Sequence, residues 1–412
     1  MIGWKKWLPA LTLAAFLVFV VVLVIRAGER PSSAQAEQTQ APDLALESAA
    51  EGTPQQPVGT ADPVPTLVVE PTAPQPTGTA PQTEEALPSA TAPPEPEDPG
   101  FLPYPRSPVI ESVSWDLDSL KRAASGSDQF PVTWAGDGEL YVTWGDGWGF
   151  SESGDKQYLG VSRLSGSPED YTAKDLWHGV GKAHGIIAVD GALYILVTEQ
   201  DKWLRGKLGR SNDYGESWTF DKDWTFSEAG GVFSSPGFLQ FGQDYQGARD
   251  GYVYGYSESI REEIRPDLMM FRVPKERLME REAYEFFAGL DGSGNPTWSA
   301  DVDQRQPVFT DPNGVAWGVQ AMYNPVLKRY LLTVRHDDEG SGWGLFDAPE
   351  PWGPWTTVAY YDHWLDGTTK LMYSFTQKWM SPDGLTNWMI FSGLDDFDSF
   401  NLIRATFKLR GD

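Results

Sequence analysis

The chain has 412 residues, a formal net charge of −26 and no cysteine. The lack of cysteine excludes disulfide bonds, thiol catalysis, cysteine-ligated zinc and iron–sulfur clusters. A charge this negative repels a phosphate backbone and therefore argues against nucleic-acid binding. Because the composition changes sharply along the chain, three segments are considered separately.

The first segment, residues 1–30, contains a candidate membrane anchor. Residues 8–25 form a stretch of 18 residues without a charge, close to the length of a helix that crosses a bilayer. Lys5 and Lys6 precede it, and the nearest small-residue cleavage site, Ala34-Gln35-Ala36, lies beyond further charged residues. This order favours an uncleaved anchor over a signal peptide. The sequence therefore predicts a single-pass protein of the cell membrane with its C-terminal domain outside the cell.

The second segment, residues 31–100, has the composition of a disordered stalk. It holds 15 of the 32 prolines and eleven acidic residues, with no lysine, arginine or aromatic residue. Such a Pro/Thr/Ala/Glu-rich segment buries too little apolar surface to offset the entropy of ordering. As a flexible coil its ends would lie about 45 Å apart, which is enough to hold a domain clear of a membrane.

The third segment, residues 101–412, has the composition of a folded all-β domain. It carries 16 of the 18 tryptophans and a net charge of −18, from 28 basic and 46 acidic residues. Short apolar runs alternate with glycine turns, and one helix is expected from Pro274 to about Phe287. Five hairpins are predicted: Phe130–Trp134 with Leu140–Trp144, Ile186–Val189 with Leu193–Val197, Phe238–Phe241 with Tyr252–Tyr256, Val319–Tyr323 with Tyr330–Val334, and Phe375–Met380 with Trp388–Phe391.

The spacing of these hairpins predicts a five-bladed β-propeller. Corresponding turns recur about every 50 to 80 residues, which leaves room for two more strands in each unit, as in a four-stranded blade. A β-sandwich is the alternative fold, but its hairpins would not return at such even intervals. The segment Ser211 to Trp218 also fits the Ser-x-Asp-x-Gly-x-x-Trp pattern of an Asp box, a turn found in sialidases and other propellers. We expect Asp213 and Gly215 to stabilise that turn and to have no catalytic role.

One face of the predicted propeller collects acidic residues. The innermost strand of a blade begins, and the second strand ends, on the same face, so carboxylates at these positions surround a central mouth. Paired carboxylates beside aromatic rings are what glycoside hydrolysis requires, because one acid gives a proton and the other stays ionised. The candidate catalytic residues are Asp128, Asp146, Glu199 and Glu258. Taken singly, a glutamate at a strand end such as Glu199 or Glu258 is more often a solvated turn residue than a catalytic one.

The same face supplies candidate substrate-binding groups. Trp148 follows Asp146 closely and could stack on a sugar ring, while His184, Arg335 and His336 lie at strand ends of other blades. A lone histidine is more often a structural residue than a ligand-binding one. No metal-binding motif is present, and no cofactor is expected.

Several of these segments resemble a known family. The stretch Asp128 to Phe150, together with Tyr284 to Leu290, Pro307 to Trp317 and Phe346 to Trp355, is similar to the bacterial secreted domain-of-unknown-function 4185 family. That family is related to endo-D-arabinanases with five-bladed propellers, which share an aspartate before the first strand and a Gly-Asp-Gly or Gly-Asp-Thr after the second. Asp128 and Asp146 match those two positions, whereas the segment Tyr284 to Leu290 departs from the arabinanases.

The resemblance implies a cell-surface glycoside hydrolase acting on an extracellular polysaccharide or oligosaccharide, with arabinan as one possible substrate. Two alternatives remain open. The domain could bind carbohydrate without cutting it, or it could be a structural propeller displayed on its stalk.

Overall fold

The computed structural model describes residues 101–199, 202–222, 225–233, 236–258, 265–336, 342–365, 370–394 and 397–411. The predicted anchor and stalk, residues 1–100, lie outside these ranges and stay predictions. None of the helices in the described ranges has the length and apolar character needed to cross a bilayer.

Strands make up almost all of the regular structure. In chain order they are β1 (Ile110–Ala123), β2 (Asp128–Trp134), β3 (Leu140–Gly147), β4 (Gln157–Ser165), β5 (Thr172–Gly179), β6 (Lys182–Val189), β7 (Ala192–Glu199), β8 (Lys202–Ser211), β9 (Thr219–Phe220), β10 (Gly237–Gln240), β11 (Tyr252–Ser257), β12 (Arg265–Pro274), β13 (Glu285–Leu290), β14 (Pro296–Ser299), β15 (Phe309–Asn324), β16 (Arg329–Arg335), β17 (Trp343–Ala348), β18 (Thr356–Tyr361), β19 (Leu371–Phe375), β20 (Thr386–Leu394) and β21 (Phe397–Leu409). The other regular elements of the described chain are short 3-10 turns.

The strands form the five blades of a propeller. Blade 1 is β2–β5, blade 2 is β6–β9, blade 3 is β10–β14, blade 4 is β15–β18, and blade 5 combines β19–β21 with β1. Within each blade, consecutive strands pair antiparallel, so the chain runs outward from an innermost strand. The innermost strands β2, β6, β10, β15 and β19 contact one another in a closed ring.

Strand β1 closes the ring. It comes from the N-terminal side of the domain and pairs antiparallel with β21, from Ile110 opposite Leu409 to Ala123 opposite Phe400. Blade 5 is thus built from both ends of the domain, and the pairing of β1 with β21 closes the ring. Aromatic side chains pack between the sheets, and Trp144 of blade 1 and Trp343 of blade 4 are fully buried.

Two expectations about local structure are wrong. The helix expected from Pro274 to Phe287 is absent: β12 ends at Pro274, two short 3-10 turns follow, and β13 begins at Glu285. Leu278, Tyr284 and Phe286 enter the core between strands, so tertiary packing outweighs the local helical pattern. The innermost strand of blade 5 ends at Phe375, and Gln377–Trp379 form a 3-10 turn. Of the predicted run Phe375–Met380, only Phe375 therefore lies in the strand.

The Ser211–Trp218 segment forms the turn between β8 and β9. The Ser211 hydroxyl donates to Asp213 Oδ1 over 2.7 Å, and the Ser217 amide donates to the same oxygen over 2.9 Å. The Trp218 ring nitrogen donates to the Gly215 carbonyl. These bonds hold the turn closed on the rim of blade 2 and give Asp213 a structural role.

Replacing Asp213 by alanine is expected to lower the free energy of unfolding by about 1 kcal/mol, because the turn loses its acceptor at an exposed position. Urea denaturation measures the change. Ligand affinity should stay the same, and a loss of affinity at unchanged stability would contradict the structural role.

Candidate active site

The mouth of the propeller is the face at which β2 begins and β3 ends. Asp128 is the first residue of β2 and lies opposite Gly145 in the β2–β3 register. Asp146 follows Gly145 near the end of β3, and Lys182 is the first residue of β6 in the neighbouring blade. Strand ends from two blades therefore bring two carboxylates and one ammonium group together.

Lys182 joins the two aspartates. Its Nζ lies 2.6 Å from Asp146 Oδ2 and 3.4 Å from Asp128 Oδ1, so these two carboxylate oxygens are at most 6.0 Å apart. The three side chains differ in accessibility: Lys182 is 7% exposed, Asp128 15% and Asp146 43%. Only Asp146 offers much of its carboxylate to a ligand in solution.

Two glycines make this arrangement possible. A Cβ at Gly145 would lie 2.5 Å from Lys182 Nζ and 2.6 Å from Asp128 Oδ1, closer than real Cβ contacts allow. Gly181, just before the lysine, has a φ of +105°, and a Cβ there would lie 2.2 Å from the Thr198 carbonyl oxygen. Glycine at these two positions lets the strand ends approach closely enough for the ion pair to form.

The backbone around the aspartates is strained. Gln129 and Phe130, which directly follow Asp128, have φ values of +83° and +76°, and Asp146 itself has a φ of +48°. Residues other than glycine rarely adopt such values, and where they do the surrounding structure holds them at an energetic cost. Such strain concentrates at functional sites.

The electrostatics distinguish Asp128 from an ordinary aspartate. Burial raises the pKa of Asp128 to about 6, the Lys182 ammonium lowers the pKa, and the charges of Asp146 and Asp398 raise it. Asp398 stands at the start of β21, where burial, together with the charge of Asp146, raises its pKa above the usual value. The charge of Lys182 therefore acts on three neighbouring carboxylates, those of Asp128, Asp146 and Asp398.

Glu258 is a buried acid that lies apart from the group of Asp128, Asp146 and Lys182. It directly follows β11, is 3% exposed, and accepts a 3.4 Å hydrogen bond at Oε1 from the Gly318 amide. Its other oxygen, Oε2, has no hydrogen-bond partner among the described residues. Burial raises the pKa of Glu258 to about 8, although the nearby Arg335 charge lowers it. At neutral pH the group is mostly protonated.

Three further residues predicted for the site, Trp148, His184 and Glu199, lie around the mouth, and their contacts do not show a role in catalysis or binding. The ring of Trp148 packs beside Gly126, just before Asp128. His184 is buried, and its carbonyl oxygen accepts from Gln320 Nε2 over 2.9 Å. Glu199 ends β7, and its side chain is outside the described part of the structure. A role for these three residues in catalysis or binding stays a prediction.

Arg335 and His336 lie deeper than the mouth surface. Both are buried at the end of β16. The His336 ring stacks on Tyr360 with centroids 4.4 Å apart, and its Nε2 lies 3.0 Å from the Tyr361 carbonyl oxygen. These contacts hold His336 against the outer strand β18, and its predicted contact with substrate stays untested.

The sequence did not single out Lys182 or Tyr158. Tyr158 lies in β4 between two residues that pair with Gly145 and Gly147, so it stands across the strand pair from Asp146. It is 52% exposed, and the exposed Val180 follows β5 beside it. The signal that could have found Lys182 was its place four residues before the predicted innermost strand of blade 2, close to His184.

In the described ranges, no group of three or more His, Asp or Glu side chains is arranged so that it could hold a metal ion.

Residues 183–376 match the family model for a domain of unknown function, DUF4185, which confirms the resemblance to that family. The matched residues run from β6 to just past β19, so they leave out blade 1 with Asp128 and Asp146. No curated protein matches the sequence.

Solved structures with a similar fold include two α-L-arabinofuranosidases. The Podospora anserina enzyme, solved with cellotriose, is 11% identical and has a TM-score of 0.44, with 72% of this chain and 98% of that chain covered. The GH62 catalytic domain from Coprinopsis cinerea is 9% identical and has a TM-score of 0.43, with 74% and 98% covered. A GH43_1 enzyme from Xanthomonas citri is 14% identical and has a TM-score of 0.41, with 70% and 91% covered. All three TM-scores are below 0.5, so the function has to be inferred from the residues of the site.

Proposed function

We propose that this chain, whose residues 183–376 match the DUF4185 family, is a glycoside hydrolase that cuts an extracellular polysaccharide at the mouth of its propeller. The observation that carries the proposal is the pair Asp128 and Asp146, held within 6.0 Å of each other by one ammonium group. Two carboxylates in different environments are the basic requirement of glycosidic bond cleavage.

Their environments suggest the roles. Asp128 is nearly buried and has a pKa of about 6, so a substantial fraction holds a proton in mildly acidic solution. It is suited to protonate the leaving oxygen. Asp146 is more exposed and contacts Lys182 at 2.6 Å, which suits an ionised carboxylate that attacks the anomeric carbon.

The spacing favours a covalent intermediate. Inverting enzymes keep their two carboxyls about 6.5 to 9.5 Å apart to leave room for a water molecule, and the closest oxygens here lie below that range. Asp146 would form a bond to the sugar as the glycosidic bond breaks. Asp128, having given up its proton, would then take one from the water molecule that releases the sugar, and the product keeps its configuration.

The substrate class follows from charge and from the resemblance noted in blade 1. A domain with a net charge of −18 accommodates an uncharged polysaccharide more readily than an anionic one. The resemblance of the residues around Asp128 and Asp146 to endo-D-arabinanases makes arabinan the first polymer to test. The predicted anchor and stalk would display the domain at the outer surface of the cell membrane.

Tyr158 is expected to be a sugar-binding platform, because its exposed ring stands across the strand pair from Asp146. Replacing Tyr158 by alanine should raise KM about fivefold with little change in kcat, since ring stacking contributes about 1 kcal/mol. Replacement by phenylalanine should preserve KM. The matched control is Leu290→Ala, an equally exposed apolar side chain on β13. A KM unchanged in Tyr158→Ala would exclude the platform.

The function itself is tested by incubating the full-length protein with arabinans, galactans and other cell-wall glycans and measuring released reducing ends. We expect cleavage of at least one neutral polymer. The configuration of the first product, followed by proton NMR, should match that of the substrate. A protein that cleaves none of the panel would contradict the proposal.

Non-catalytic carbohydrate binding is the second candidate. It is favoured by one observation: the Lys182 ammonium lies between the two carboxylates and neutralises one of them. In that case a glycan would bind over Asp146 and Tyr158 without being cut. Binding of a glycan, measured by calorimetry, in the absence of any cleavage would select this alternative.

A further inference from the structure

We propose that Lys182 is a positioning residue, whose ammonium group holds the Asp146 carboxylate in place and whose charge controls when Asp128 gives up its proton. This inference rests on the proposed function, because it assigns how the two carboxylates acquire different roles.

The Lys182 ammonium group lies closer to one of the two carboxylates than to the other. Lys182 Nζ is 2.6 Å from Asp146 but 3.4 Å from Asp128, so the ammonium holds the Asp146 carboxylate more tightly than the Asp128 carboxylate. The lysine is 7% exposed, so solvent screens these interactions little. A charge this deeply buried is retained only where partners stabilise it.

The local backbone structure determines the position of the Lys182 ammonium group. Lys182 starts the innermost strand of blade 2, and its carbonyl oxygen accepts from the Thr198 hydroxyl over 3.1 Å. Gly181 gives the turn before it, and Gly145 leaves the space that Nζ occupies. Because a Cβ at Gly145 would overlap both Lys182 Nζ and Asp128 Oδ1, the space is shared by the two groups.

The charged groups that face Asp128 come from three elements. Lys182 on β6 lowers its pKa, whereas Asp146 on β3 and Asp398 on β21 raise it. Removing the ammonium should therefore raise the pKa of Asp128, and removing the charge of Asp146 should lower it. A lysine that served only to pack the mouth would leave the pKa of Asp128 unchanged when it is replaced.

The test measures the pKa of Asp128 by carbon-13 NMR of the aspartate carboxyls in the full-length protein, a readout that does not depend on hydrolysis. We expect Lys182→Met to raise that pKa from about 6 to about 7 or higher, and Asp146→Asn to lower it. The matched control is Lys156→Met, which removes a charge that acts on Asp398. It should shift the Asp128 pKa far less than Lys182→Met.

Activity gives a second readout. On the substrate that the wild-type protein cleaves, Lys182→Met should lower kcat about 100-fold and move the alkaline limb of kcat/KM to higher pH. An unchanged Asp128 pKa in Lys182→Met overturns the inference whether or not the protein is a hydrolase. If this variant does not fold, Lys182→Gln decides, because it removes the charge but keeps a polar side chain. A raised Asp128 pKa there supports the role of the lysine, and an unchanged value rejects it.

Discussion

Asparagine in place of Asp146 is expected to lower kcat by about 1000-fold or more while the melting temperature changes by only a few degrees. The amide keeps the shape of the side chain but cannot attack the anomeric carbon as an ionised carboxylate does. Lys182 keeps a partner in this variant, because Asp128 Oδ1 lies 3.4 Å from its ammonium. The loss should therefore appear in the rate and not in the stability.

Asp128→Asn should cause a loss of similar size, because the amide has no proton to give to the leaving oxygen. The double variant should be barely slower than either single variant, since two groups that act in one reaction do not contribute independently. Initial rates on the cleaved glycan, measured near pH 6, test both expectations.

The matched control is Asp155→Asn, an exposed aspartate in the loop that connects Asp146 to β4. It should keep full activity. If Asp146→Asn also keeps full activity, the assignment of the nucleophile is wrong, and Glu199 and Glu258 become the candidates. Equal binding of a glycan by all variants without cleavage would instead favour the non-catalytic alternative.

The blade pattern could be predicted because it depends on local signals. Turns such as Asp137-Gly138 and Asp190-Gly191 join short apolar strands in which nearly every residue is buried, and both the turns and the apolar runs are readable in a single sequence. The pairing of β1 with β21 was not predicted, because their partner positions are separated by nearly the whole domain. The expected helix after Pro274 failed for a related reason: long-range core contacts determined its structure.

The site was only half predictable. Asp128 and Asp146 could be placed because each adjoins a strong hairpin signal in the same blade. Lys182 was missed because β6 begins four residues before the predicted strand at Ile186, with an irregularity in register between Ala183 and Gly185 that shifts the pattern. The contact between Lys182 and Asp146 joins two blades, so it depends on how the whole ring is assembled. No local pattern in the sequence specifies such a contact.

Glu258 is expected to make the stability of the protein depend strongly on pH. Burial raises its pKa from 4.5 to about 8, so the folded state binds this proton more tightly than the unfolded state does. The stabilisation is therefore fully present below about pH 4.5 and is lost as pH rises through about 8. At about 1.4 kcal/mol for each pH unit, the loss would be on the order of 5 kcal/mol.

Replacing Glu258 by glutamine should remove this dependence, because the amide stays neutral at every pH and its oxygen can still accept from the Gly318 amide. Urea denaturation at pH 5, 7 and 9 should show wild-type stability falling toward pH 9 relative to the Glu258→Gln variant. The exposed Glu169→Gln variant serves as the control and should follow the wild type. Parallel curves for wild type and Glu258→Gln would mean that Glu258 is ionised when folded, and its buried carboxyl would then need a cation beyond Arg335 to balance it.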